Sequence, residues 1–169
     1  MAVPEFFNTL EQSGLSTWLR ESDSLFSFYF ILLCHTIGLA LLVGTNAVLD
    51  LRLLGVASDL PLKSFKPFFS VMWLGFGINA ISGVFLLIAY PTKAFTNPVF
   101  YLKLLLIASA VVIMQRMKNH LFGDAALTES DMMARGRSLA TLSLALWIGA
   151  ITSGRLLAYT FIYRMYGER

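Results

Sequence analysis

The stretch LLCHTIGLALLVGTNAVLDLRLLG, Leu32 to Gly55, is apolar almost throughout until Asp50, yet it contains His35 and closes on Asp50 and Arg52. About 20 apolar residues suffice for a helix to cross the hydrocarbon of a bilayer. The run is too long for a strand and does not alternate, and a helix satisfies its own backbone in lipid where an open strand cannot. This stretch therefore predicts an all-α integral membrane fold, and it leaves His35 in need of an explanation.

The rest of the chain has the same character. Of 169 residues, 57% are hydrophobic and 14% charged, with a mean hydropathy of +0.70. Average soluble domains carry roughly 25% charged residues, so the solvent for so much apolar surface must be lipid. Four segments are long enough to span, at about 25–49, 68–90, 98–117 and 138–163. Together they predict a four-helix bundle forming a single membrane domain over 1–169. Asn97 and Pro98 read as an N-cap and first helical position, and Thr128 reads as a cap that starts the fourth helix before its membrane part. Pro61 and Pro67 punctuate the 1–2 loop. Before the first span, at about 4–21, Phe6, Phe7, Leu10, Trp18 and Leu19 can share one face with Glu11 and Arg20 off it, which predicts an amphipathic helix lying in the interface. The N-terminus lacks the basic region of a signal peptide, and the first span is expected to stay in the mature chain.

Charge sets orientation. With an even number of spans, the termini and the 2–3 loop share a side holding Arg20, Lys93, Arg164 and Arg169. The other side holds Arg52, Lys63, Lys66, Arg116, Lys118, Arg135 and Arg137. The positive-inside bias places loops 1–2 and 3–4 in the cytoplasm and both termini outside. Tyr159, Tyr163 and Tyr166 are expected in the outer aromatic belt, and Phe65, Phe68, Phe69 and Trp73 in the inner one. The net charge of +3 comes with no clustered basic face of the kind that binds nucleic acid. Cys34 is the single cysteine, which excludes an internal disulfide and any Cys-rich metal site.

Polar residues recur at one depth. At about 1.5 Å per residue, His35 lies about 15 Å into span one, Asn79 and Ser109 near the middle of spans two and three, and Arg155 about 12 Å from the end of span four. Small residues share faces with them: Gly38 with His35, Leu42 and Thr45; Gly75 and Gly83 with Asn79. Gly149 and Ser153 form a further small pair. Thr152, Arg155 and Tyr159 form a stripe, and an inward orientation would give the arginine the partners that mid-membrane charge requires. His35, Arg155, Asn79 and Tyr159 are thus candidates for binding haem b or a quinone, with His35 alternatively a quiet bundle hydrogen bond or a proton carrier. A haem between helices usually takes two axial ligands, and His120 lies at the wrong depth to be the second. Asp50 and Arg52, at the border of span one, are expected to form a charge latch with Arg116 and Lys118 at the end of span three.

The pieces CHTIGLALLVGTNAVLDLRLLG, NPVFYLKLLLIA and SGRLLAY resemble an uncharacterised family of small bacterial inner-membrane proteins with four helices. That family is itself loosely similar to copper-resistance protein D and to cytochrome b561-like membrane domains. The resemblance places His35, Asp50, Arg52, Lys103 and Arg155 at motif positions and implies a bacterial inner membrane. The chain departs from the cytochrome-like pattern at the end of span three, where QRMKNH has Lys118 in place of a histidine. No nucleotide loop, nucleophile elbow or zinc spacing occurs. Three functions stay open: a non-catalytic accessory subunit of a larger membrane complex, which could be a redox complex; a haem b- or quinone-binding redox protein; and a small transporter or ion-handling protein. The expected partners are lipids, together with other membrane subunits or further copies of the chain.

Overall fold

A computed structural model describes the backbone of residues 5–22, 24, 26–124 and 126–166, and their side chains except those of 5, 8, 158 and 160–166. The molecule is an all-α membrane bundle, and no strand occurs among the described residues. Two short helices, α1 (Glu5–Glu11) and α2 (Gly14–Glu21), precede the first span, which comprises α3 (Phe28–Leu39), a π turn (Ala40–Gly44) and α4 (Thr45–Leu53). A 3-10 turn (Leu62–Phe65) leads into α5 (Phe68–Ala89), and α6 (Pro91–Phe95) turns the chain into α7 (Pro98–His120). The last helix, α8 (Glu129–Tyr166), has 38 residues, about 57 Å at the usual rise. Four of these segments are long and apolar enough to cross a bilayer.

The punctuation works as chemistry requires. Asn97 Oδ1 accepts from Val99 N at 3.0 Å, and Pro98 begins α7. Thr128 Oγ1 accepts from Asp131 N at 3.2 Å while Asp131 Oδ2 accepts from Thr128 N at 3.4 Å, a reciprocal cap that starts α8 outside its apolar part.

Helix pairing divides the molecule into two hairpins. In the first, α3 crosses α5 where two glycines meet. A Cβ at Gly38 would stand 2.7 Å from Asn79 N and 2.9 Å from Gly75 O, and one at Gly75 would stand 2.6 Å from Leu42 N. Only glycine permits that approach. In the second, α7 and α8 pack through Ala110, Ile113, Met114 and Met117 against Ala140, Trp147 and Ala150, all buried. Gly149 lies against Leu106 and Ser153 Oγ donates to Gly149 O at 2.7 Å, so this small pair faces the neighbouring helix as its spacing predicts.

The hairpins join through the second half of span one. The π turn adds a residue to the helical cycle and re-aims α4 relative to α3. Before it, Gly38 and His35 face α5; after it, Asn46, Leu49, Asp50 and Leu53 are buried, and α4 packs on α8. Thr45, at the end of the π turn, donates its hydroxyl to Leu41 O. The core is therefore continuous on the side of the 1–2 and 3–4 loops, the basic side of the molecule. Toward the opposite, terminal side α3 packs on α5 and not appreciably on α7 or α8.

Several expectations are corrected. The charge latch does not form between spans one and three: Arg116 and Lys118 are exposed. Arg52, 2% exposed, instead donates to Glu129 Oε1 on α8, to Leu60 O at 2.7 Å and to Ser58 O at 3.0 Å. It ties the 1–2 loop to the first turn of the fourth helix. Asp50 belongs to a separate buried group, where Asn46 Nδ2 donates to Asp50 Oδ2 at 2.6 Å and to Ser143 Oγ at 2.7 Å. The reason is helical phase, since residues two apart point to different neighbours. Phe65 and Phe69 lie in the core at 7% and 2% exposure, leaving Trp73 as the exposed member of the inner aromatic set. The side chains of Tyr163 and Tyr166 lie outside the described residues.

The interfacial segment breaks in two at Ser13, which caps α2 by accepting from Ser16 N. Arg20 and Leu19 depart from the expected division into a polar and an apolar face. Arg20 turns inward, donating to Ala89 O at 3.0 Å and so covering a terminal carbonyl of α5, and to Glu11 O at 2.8 Å. Phe6 and Trp18 are exposed and stay available to the lipid interface, while Leu19 is buried.

Candidate functional site: a cleft at the terminal side

Where the hairpins separate, a cleft of about 230 Å³ opens between all four spans. His35 and Gly83 form part of one wall and Lys103 and Gly154 part of the other, with Phe28, Tyr90 and Phe100 toward the mouth. The glycines make room. A Cβ at Gly83 would lie 3.4 Å from His35 Cε1, and one at Gly154 would lie 3.6 Å from Lys103 Cε and 3.7 Å from its Nζ. The lysine stem thus lies across α8, and its ammonium has no hydrogen-bond or ion-pair partner among the described residues. Lys93 adds a second cation at the mouth, 5.9 Å from the Tyr90 ring centroid.

His35 is held from two directions. Its carbonyl accepts from Asn79 Nδ2 at 2.8 Å, and its Nδ1 lies 3.1 Å from Ser82 Oγ. A serine hydroxyl has one proton to give, and the shortest contact of Ser82 Oγ is Ile78 O at 2.7 Å. With that proton committed, the hydrogen-bond network assigns the imidazole proton to Nδ1. Nε2 then keeps its lone pair, and it makes no hydrogen bond among the described residues. The site offers an acceptor on one wall, an ammonium donor on the other, and aromatic rings near the entrance.

The candidates named from sequence are thus partly reassembled. His35 lines the cleft. Asn79 lies behind it and positions its backbone. Lys103, singled out by the motif pattern, faces His35 in place of Arg155. Arg155 and Tyr159 do share a stripe with Thr152, as their spacing indicates, but that stripe points outward: all three are exposed, Tyr159 at 59%. Ala140, Ser143, Trp147, Ala150 and Ser153 form the buried stripe of α8. On the outward face, the arginine has a flexible stem along which its charge can extend toward the interface. Sequence reasoning passed over Ser82, although it follows Asn79 by three residues on the same face. It also passed over Asn46, four residues before Asp50, and Glu129, in the first turn after a cap.

The haem reading meets a direct test in these side chains. Among the described residues His35 is the one imidazole lining the cleft, and no cysteine or methionine lines it to serve as a second axial ligand. The volume also falls below the roughly 300–1,000 Å³ of pockets that enclose drug-sized ligands, and a tetrapyrrole is larger than most of those. The residues do not fit a haem. Among the described residues no group of three or more His, Cys, Asp or Glu stands close enough to share a metal ion. No protein-family model, curated protein or solved structure matches the chain.

Proposed function

We propose that this multi-pass membrane protein is a small accessory subunit of a membrane redox complex, and that it holds the headgroup of a lipid-soluble quinone in the terminal-side cleft. One observation carries the reading: an imidazole, His35, and a lysine with no hydrogen-bond or ion-pair partner among the described residues, Lys103, line a single cleft between the hairpins. In the quinol, one ring hydroxyl donates to the imidazole and the oxygen of the other accepts from Lys103; in the quinone, a ring carbonyl accepts from Lys103. The aromatic side chains at the mouth pack on the ring, and the isoprenoid tail leaves between the hairpins into lipid. A carboxylate or phosphate ligand would satisfy the lysine but leave Nε2 facing another acceptor. The lysine and arginine bias supports an orientation with both termini outside the cytoplasm, which sets the cleft toward the outer leaflet. The motif resemblance supports a bacterial inner membrane.

The test is equilibrium dialysis of the purified protein in detergent against a labelled short-chain ubiquinone and its quinol. His35→Leu and Lys103→Leu are each expected to weaken binding about tenfold, the equivalent of about 1.4 kcal/mol for one hydrogen bond to a buried or charged partner. Arg155→Leu, on the outward face, should leave binding unchanged. Equal affinity of all four proteins, or a loss confined to Arg155→Leu, would refute the proposal.

A further inference from the structure

On the basic side the 1–2 loop, the start of α5 and the end of α7 border an open surface pocket of about 770 Å³. Three lysines line it: Lys63, Lys66 and Lys118. Their arrangement is built by the fold. Leu62 and Phe65 are buried at 0% and 7%, which anchors the 3-10 turn between them. In such a turn residues three apart eclipse, so Lys63 and Lys66 rise on one side. Lys118 comes from the last turns of α7. Ser70 and Asn119 add neutral hydrogen-bonding groups, and the first residues of α5 bring the positive end of a 22-residue helix dipole to the same wall. Phe69 and Phe122, edge to face at 5.2 Å, supply an apolar lining. None of the three lysines has an ion-pair partner among the described residues; Arg20–Glu11 and Arg52–Glu129 are the pairs that form. The nearest acidic contribution is Asp124, exposed, on an adjoining smaller pocket that shares Lys63 and Lys66.

We infer that this pocket binds a phosphate group, and that its source is the headgroup of an anionic phospholipid in the leaflet on the basic side. Three separate ammonium groups suit a ligand with several acceptor oxygens around one centre better than a planar carboxylate. The depth agrees, because these lysines flank the ends of spans two and three, where the phosphates of a leaflet lie. Basic pockets between helices at this level are a recurrent way of holding anionic lipid, and the aromatic lining gives the glycerol and first methylenes an apolar surface. The site is distinct from the His35 cleft, and the inference stands without the quinone reading.

Native mass spectrometry of the detergent-purified protein, titrated with phosphatidylglycerol or with phosphatidylcholine, tests it. The wild type is expected to retain phosphatidylglycerol selectively. The triple variant Lys63→Gln, Lys66→Gln, Lys118→Gln should bind it at least tenfold more weakly, and Lys118→Gln alone should show a partial loss. A variant carrying Arg135→Gln and Arg137→Gln, also exposed and on the basic side, should bind like the wild type. Inorganic phosphate at millimolar concentration serves as the second ligand. If it raises the melting temperature of the wild type but not of the lysine variant while phosphatidylglycerol does neither, the phosphate site holds and its source is soluble. Retention of phosphatidylglycerol by the triple lysine variant at wild-type affinity would overturn the inference. So would equal losses from the lysine and arginine variants, which would mark the effect as general charge.

Discussion

Arg52 gives up nearly all of its water on folding, and what it receives in return is specific: two loop carbonyls and the Glu129 carboxylate. Removing one member of such a set strands the others. Arg52→Leu is expected to lower stability by about 3 kcal/mol. Glu129→Gln should cost about 1 kcal/mol, since the glutamate side chain is 45% exposed and water can replace part of its contact. Thermal unfolding in detergent, followed by circular dichroism, ranks the two; equal losses would contradict the assignment of Arg52 as the buried hub. The Asn46 group behaves differently. Asn46 Oδ1, Asp50 Oδ1 and Trp147 Nε1 are buried without protein partners, so this knot joins the hairpins while leaving some of its polar capacity unused. Histidine, aspartate and arginine stand out in any apolar run, which made His35, Asp50 and Arg52 legible from the sequence. Asn46 and Ser82 are ordinary in composition, and their importance comes only from which face they occupy.

At the scale of the helix, Gly38 and Gly75 mark a close backbone approach of α3 to α5. Gly38→Ala puts a methyl group against backbone atoms that cannot rotate away, and overpacking of this kind costs about 1–3 kcal/mol. Gly77 meets nothing within 4 Å of an added Cβ, so Gly77→Ala should be neutral or stabilising by up to about 1 kcal/mol through helix propensity. Melting temperatures of the two variants decide between a packing role and a general intolerance of substitution in α5. The four spans and the caps at Asn97 and Thr128 were readable because length, hydropathy and capping chemistry are local. The facing of the fourth helix was not. Two small-to-polar stripes run along α8, one through Gly149 and Ser153 and one through Thr152, Arg155 and Tyr159. A charge in lipid argues for the second as the inner face, whereas steric fit against α7 selects the first.

The whole molecule is tight at one end and parted at the other. Leu49, Leu53, Leu62, Met72, Met114, Met117 and Leu121, each at 0–1% exposure, fill the basic half. The terminal half holds the cleft, and α1 and α2 are fastened to that end by Arg20. The proposed orientation sets the cleft toward the outside. Alkaline phosphatase fused after Arg169 is then expected to be active, and the same enzyme inserted in the 3–4 loop at Asp124 should be silent. The reverse pattern would turn the molecule over and place the lysine pocket in the outer leaflet. The two-hairpin pairing was not legible in the sequence, because apolar helices in lipid carry no pattern that names their partners, and small residues specify closeness without saying to which neighbour.

The π turn at Ala40–Gly44 makes span one a counted object. Each residue of a helix advances the side chain by about 100°, and the extra member of the wide turn sets the angular offset between His35 and Asp50. Deleting one residue there would restore an uninterrupted α-helix at no loss of hydropathy. The two halves would keep their facing, because the wide turn already absorbs its extra member; tightening it to α geometry with every residue kept would instead swing one half by about 100° against the other, and His35 could then stay beside Ser82 only if Asn46 and Asp50 left their places beside Ser143. Fifteen positions separate His35 from Asp50, and the way the wide turn winds that interval, more than the identity of the apolar residues filling it, carries the relationship between the open end of the molecule and the closed one.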